Sequence, residues 1–299
     1  MNVLVVGGTG FIGTKLCGEL ADRGHDVTAL SRSPDETDLP AGLRTVTGDV
    51  TAYDSIESAF EGQDAVVYLV ALSPLFQTKG GRTHEKIHLG GAENTVRACE
   101  EHGVDSLVHL SALGADADGP TAYLRAKGKA ERVVRDSDLD WTIFRPSIVF
   151  GEGGEFVSFT RELKSTFAPL VPLYPIPGGG KTPFQPIWIG NLVPMLADAV
   201  EDDEHAGETY EIGGPEVLRL ADIASLVFRG QGKSVSIVPL PMSLAKVGVI
   251  LAGPLPFIPF GTDQIRSLRL DNTVEDNDAS VFGVDPGELR TVEDYLGLA

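Results

Sequence analysis

The run Gly7-Gly8-Thr9-Gly10-Phe11-Ile12-Gly13 follows a strand-like segment, Asn2–Val6, and opens a segment of helical period at 11–23. That order of strand, glycine turn and helix narrows the possible folds more than any other feature of the chain. Residues without bulk let the backbone turn sharply and come close to a diphosphate, whose negative charge then rests on the amino end of the helix. Gly7, Thr9, Gly10, Phe11, Ile12 and Gly13 are accordingly candidate cofactor-binding residues.

A second strand, ending Thr28-Ala29-Leu30-Ser31-Arg32, comes about 20 residues past the motif, where an acidic group would be expected to bind the ribose 2′-hydroxyl of NAD. No acidic residue stands there. Ser31 and Arg32 instead supply a hydroxyl and a guanidinium suited to a 2′-phosphate, so NADP(H) is the expected cofactor and NAD(H) the alternative.

Apolar, β-branched runs at 2–6, 26–30, 43–46, 65–69, 106–110 and 141–144 alternate with helical stretches such as 11–23 and 83–101. Such alternation predicts an α/β fold, a Rossmann doubly wound parallel sheet covered on both faces. The pattern loosens after Gly151. The expected division is a dinucleotide-binding domain at 1–150, to which 185–212 returns, and a smaller C-terminal α/β lobe at 151–299. An apolar run at 247–260 is broken by Pro254, Pro256 and Pro259 and is shorter than the ~20 residues of a spanning helix. It predicts no transmembrane segment, but a buried or partner-facing stretch, with peripheral membrane contact as the lesser alternative.

Forty-three acidic residues against 24 basic ones give a net charge of −19, a surface that repels nucleic acid and anionic membranes. With only 9 Lys beside 15 Arg, the balance is the one a halophilic protein carries, since concentrated salt screens self-repulsion. The two cysteines, Cys17 and Cys99, fall within helical segments and read as small core residues. The opening MNVLVVGG lacks the pattern of a signal peptide, and the expected location is cytoplasmic.

Ser111 ends the fifth strand, and Tyr123 lies twelve residues beyond it with Lys127 a further four along. Tyr and Lys at that spacing share a helix face, so the ammonium is expected to lower the phenol's pKa. This makes Tyr123 a candidate acid/base, Lys127 its tuning partner and Ser111 the group holding a carbonyl oxygen. Together with Gly7 to Gly13, Gly48-Asp49-Val50, Phe144-Arg145-Pro146-Ser147-Ile148-Val149-Phe150-Gly151, Gln185 to Ile189 and Tyr210 to Pro215, these residues resemble the extended and atypical short-chain dehydrogenase/reductases. The stretches 111–115, 123–131 and 263–272 resemble the atypical group that contains the nucleotide-binding accessory subunit of respiratory complex I and its prokaryotic relatives.

The resemblance implies that Asp49 and Val50 lie by the adenine, Ala71 and Leu72 along the cofactor, Lys127 on the ribose, and Pro146, Ser147, Ile148 and Val149 against the nicotinamide. Active members of the superfamily carry an Asn where this chain has His88, and Asn94, about 240° around a helix from it, points elsewhere. Two functions follow as expectations. One is an NADP(H)-dependent oxidoreductase acting on a small hydrophobic or quinone-like substrate through Ser111, Tyr123 and Lys127. The other is a non-catalytic NADP(H)-binding subunit whose partner is a redox complex.

His84-Glu85-Lys86-Ile87-His88 matches a zinc-binding H-E-x-x-H, but it lies where a Rossmann helix borders the cofactor and lacks a third ligand, so no metal is expected. Gly178-Gly179-Gly180-Lys181-Thr182 is read as a loop, because Pro175 replaces the earlier glycine of a phosphate loop and Pro183 stands where the helix should start.

Overall fold

The computed structural model describes residues 1–34, 39–40, 42–76, 81–168, 173–241, 243 and 262–298, so the apolar run at 247–260 lies outside the described residues. The chain forms two compact units. The first comprises Met1–Leu72, Lys79–Pro146 and Ile189–Ile212, the second Ser73–Thr78, Ser147–Trp188 and Gly213–Ala299.

In the first unit the elements run β1 (Asn2–Val6), α1 (Phe11–Asp22), β2 (Asp26–Ser31), β3 (Arg44–Thr47), β4 (Ala65–Tyr68), α2 (Gly90–His102), β5 (Ser106–Leu110), α3 (Ala122–Arg135) and β6 (Asp140–Pro146). A helix at Ile189–Glu201 and a strand at Thr209–Ile212 complete it. Seven strands pair in parallel in the order Thr209–Ile212, β6, β5, β4, β1, β2, β3. This is the α/β doubly wound architecture read from the alternation of elements. Connections leave β1 and β4 in opposite directions, so the carboxyl ends of these neighbours form the topological switch point where such sheets hold ligands.

Burial explains the local structure. Val3, Leu4, Val5 and Val6 are all wholly buried, as a central parallel strand requires. Helix α1 buries Gly13, Leu16, Cys17 and Leu20, the i, i+3, i+4, i+7 stripe of a helix lying on a sheet. The segment 189–212 is tied in by Arg23, which reaches Asp198 at 2.7 Å and Glu201 at 2.6 Å while also holding Glu19.

The helical stretch expected at 83–101 is not one uniform helix. A π-helical turn occupies Glu85–Leu89 and only then does α2 begin, at Gly90. In the second unit, Phe150, Phe156, Phe159, Tyr174, Ile176 and Phe228 belong to a separate core. Gly178–Gly180 forms a short 3₁₀ turn with positive φ at each glycine, followed by the strand Pro183–Phe184. No helix starts there to cradle a phosphate.

Candidate functional site

The glycine turn is fixed by the backbone itself. Gly7 adopts φ +93° and donates to Leu30 O at 2.8 Å, and Gly10 donates to Gly7 O at 2.9 Å. A Cβ on Gly13 would stand 2.2 Å from Gly7 O, so α1 presses onto the turn only because that side chain is missing. At Gly10 a Cβ would meet Gly7 O alone, which leaves its outer side open to close approach. Gly10 is also the N-cap of α1 and no side chain caps it, so the first-turn amides at Phe11, Ile12 and Gly13 are left for an anion. Thr9, within the turn, is half-buried.

At the end of β2, Ser31 Oγ is buried without a hydrogen-bond partner among the described residues, an orphaned polar atom of the kind a ligand satisfies. Arg32 follows it, exposed. The Asp49 carboxylate accepts the Thr51 amide at 2.9 Å and the Thr51 hydroxyl at 2.8 Å. Those bonds, with smaller contributions from the Arg32 and Arg82 guanidiniums, hold it below the usual aspartate range. Val50 is buried and its carbonyl accepts Asn94 Nδ2 at 2.7 Å.

Thr121 caps α3, accepting from Leu124 N at 3.2 Å, and the helix carries Tyr123, Lys127 and Glu131. Lys127 is 1% exposed and donates to Leu110 O at 2.6 Å. Burial drops its pKa from the usual 10.5 to about 8, against the pull of Glu131. The expected effect of Lys127 on Tyr123 is not what the geometry produces. Desolvation pushes the half-buried phenol above its ordinary range, while the ammonium is turned to the β5 carbonyl. Ser111 is also turned inward, donating from Oγ to Glu131 Oε1 at 2.5 Å. Its proton is therefore not offered to a carbonyl oxygen, the role expected from its position.

Glu131 is the residue that sequence reasoning missed. It is 1% exposed and takes Arg145 through Nε at 2.9 Å and Nη2 at 2.6 Å, and Arg135 at 2.9 Å. Its place four residues past Lys127 on the same helix face was the available signal. Arg82 was missed as well, since nothing in its sequence neighbourhood marks it as close to Asp49.

His84, His88 and Tyr123 form a cluster of rings with centroids 5.3–5.5 Å apart. His84 Nδ1 and His88 Nε2 face each other at 3.4 Å, and Leu72 N donates to the same Nε2 at 3.4 Å. The histidines of the zinc-like motif thus address one another and the backbone, and among the described residues no group of three or more His, Cys, Asp or Glu could hold a metal ion. Ala71 is exposed beside the half-buried Leu72. Pro146 ends β6 in the first unit and its carbonyl accepts Leu113 N at 3.1 Å. Ser147, Ile148 and Val149 belong to the second unit, where Asn272 Oδ1 accepts both the Ser147 hydroxyl at 2.7 Å and the Ile148 amide at 3.1 Å.

A family model described as NAD(P)H-binding matches residues 7–165. Among curated relatives, the Arabidopsis thaliana mitochondrial "NADH dehydrogenase [ubiquinone] 1 alpha subcomplex subunit 9" is 28% identical over 91% of this chain and 71% of its own length. The "Photosystem II assembly factor Ycf39" of Synechocystis is 25% identical over 99% of this chain and 90% of its own. Among solved structures, a nucleoside-diphosphate-sugar epimerase from Staphylococcus aureus shares the fold with a TM-score of 0.74 at 18% identity, covering 99% of each chain. Among the described residues no helix is long and apolar enough to cross a membrane.

Proposed function

Since the chain belongs to the NAD(P)H-binding family, with the short-chain dehydrogenase/reductase-like fold, we propose that it holds NADP(H) in its first unit as a bound component of a redox assembly, without turning it over quickly. The diphosphate rests on the uncapped amino end of α1, the 2′-phosphate takes Ser31 and Arg32, and the adenine lies by Asp49 and Val50.

One observation carries the non-catalytic part. Two of the three side chains expected to do chemistry are held in hydrogen bonds inside the fold, Ser111 to Glu131 and Lys127 to Leu110 O, and the half-buried Tyr123 phenol is pushed above its ordinary range by desolvation. Relatives named as a subunit of an NADH dehydrogenase and as an assembly factor support the same reading.

The second reading is an NADP(H)-dependent reductase of a small hydrophobic or quinone-like substrate. Retention of Ser111, Tyr123 and Lys127 at one end of the sheet favours it, as does a Stenotrophomonas maltophilia relative named "2-alkyl-3-oxoalkanoate reductase", 30% identical over 52% of this chain.

The two separate with Tyr123→Phe assayed for NADPH affinity and for turnover over a panel of carbonyls and quinones. Unchanged affinity with no turnover in either protein supports the bound-component reading. A clear wild-type rate that collapses in the variant replaces it with the reductase, and absence of NADP(H) and NAD(H) binding defeats both.

A further inference from the structure

The His-Glu-Lys-Ile-His stretch has no part in the function proposed above, yet its second histidine is placed with unusual care. His88 is 0% exposed and sits on a π-helical turn of the first unit, Glu85–Leu89. Such turns re-aim one side chain relative to a regular helix and occur often at functional sites. Here the ring stands edge-on to Tyr123 at 5.3 Å and nearly parallel to His84 at 5.5 Å.

The hydrogen bonds fix which nitrogen carries the proton. The Leu72 N–H is directed at His88 Nε2, so Nε2 must present its lone pair, and an N–H there would face another N–H. In the same way His84 Nδ1, 3.4 Å from Nε2, can only be a donor to it. The His88 proton is then on Nδ1, which is buried and has no partner among the described residues. A buried N–H left in this state is destabilising, a cost that packing alone gives no reason to keep when an apolar ring would fill the same space.

The ring stays neutral in these surroundings. Burial, the Lys127 ammonium on α3, His84 just before the turn and His109 on β5 all oppose a charge on it, and the Leu72 N–H aimed at the Nε2 lone pair does the same. Tyr123 on α3 and Tyr68 on β4, whose hydroxyl donates to Ile87 O at 2.7 Å, are the remaining titratable neighbours, and both phenols are pushed up by burial.

We propose that His88 is a positioning residue for the dinucleotide: its Nε2 lone pair holds the Leu72 amide and so sets the Ala71–Leu72 backbone beside the carboxyl end of β4. The inference rests on the NADP(H)-binding reading and names how that site is held open in a fixed shape. Leu72 is the last residue of its stretch in the first unit, and no ladder bond continues β4 through it, so the histidine stands in for a sheet neighbour.

Three measurements test it. His88→Phe keeps the ring and its contacts but removes the acceptor, while His88→Gln restores an acceptor near the position of Nε2. NADPH and 2′,5′-ADP are titrated into each, the latter lacking everything beyond the adenosine half. The expected result is about tenfold weaker NADPH binding for His88→Phe, unchanged 2′,5′-ADP binding, and recovery to within about threefold for His88→Gln.

Equal NADPH affinity in wild type and His88→Phe overturns the proposal, as does equal loss of both ligands without rescue, which marks a packing role. If wild type binds neither ligand, it is the cofactor reading itself that fails. Should His88→Phe not fold, the unaltered protein still decides the matter. Nitrogen-15 spectra must show His88 protonated on Nδ1 and the Leu72 amide protected from hydrogen exchange, and a proton on Nε2 or a freely exchanging amide refutes the proposal.

Discussion

The Ser111 hydroxyl donates to Glu131 Oε1 at 2.5 Å, joining the end of β5 to a buried carboxylate on α3, twenty residues further along the chain. Because Glu131 is ion-paired with Arg145 and Arg135, it can only accept, and the direction of the bond follows. Ser111 therefore presents lone pairs, not a proton, to anything outside. A residue picked out as a carbonyl-holding donor is thus part of the internal scaffold that joins α3 to β5 and β6.

That relationship predicts a large stability effect. Removing one partner of a buried ion pair strands the others, at a cost of about 3–5 kcal/mol. Glu131→Gln should lower the urea midpoint accordingly, with Arg145 and Ser111 left without their acceptor charge. A midpoint within experimental error of wild type would show that the network contributes nothing.

Lys127 gives a pH dependence of defined sign. Its folded pKa is lowered to about 8 from the usual 10.5, so between those values the unfolded chain binds more protons than the folded one. Stability should then rise as pH increases through 8 to 10.5, while below about pH 8 the full cost of burying the ammonium is present. Relative to Lys127→Met, the wild type should gain about 2 kcal/mol between pH 7.5 and pH 10 in denaturant titrations. Parallel curves for the two proteins would sink the assignment.

At the glycine turn, Gly13→Ala forces a methyl into Gly7 O and the Gly8 backbone. Overpacking of this kind costs about 1–3 kcal/mol, and the turn must shift to relieve it. We expect NADPH affinity to fall at least about tenfold with a modest drop in thermal midpoint. Wild-type affinity in the variant would mean that the dinucleotide does not use this turn.

The proposed preference for NADP(H) rests on the guanidiniums near Asp49. Arg32→Ala should weaken NADPH about tenfold or more while leaving NADH nearly unchanged, and Arg82→Ala should do the same to a smaller degree. Equal affinities of the wild type for NADPH and NADH would remove the 2′-phosphate assignment altogether.

Much of this was legible in the residue order. The stripe Gly13, Leu16, Cys17, Leu20 and the unbroken run Val3 to Val6 carry their periods openly, because a helix on a sheet and a central parallel strand each need one local pattern repeated. The dinucleotide turn was visible for the same reason, since its geometry is decided within seven consecutive residues. The π-helical turn at Glu85–Leu89 was not visible, because one extra residue per turn leaves no periodic trace in so short a segment.

Local order thus determined the Rossmann sheet, its glycine turn and the candidates around it. Tertiary structure alone decided what those candidates do. Ser111 meets Glu131, Lys127 meets Leu110 O and His88 meets Leu72 N only when strands and helices far apart in the chain are packed together. The physical reason is that backbone turns are short-range properties of the chain, whereas protonation and hydrogen-bond direction depend on burial and on which distant group faces the atom.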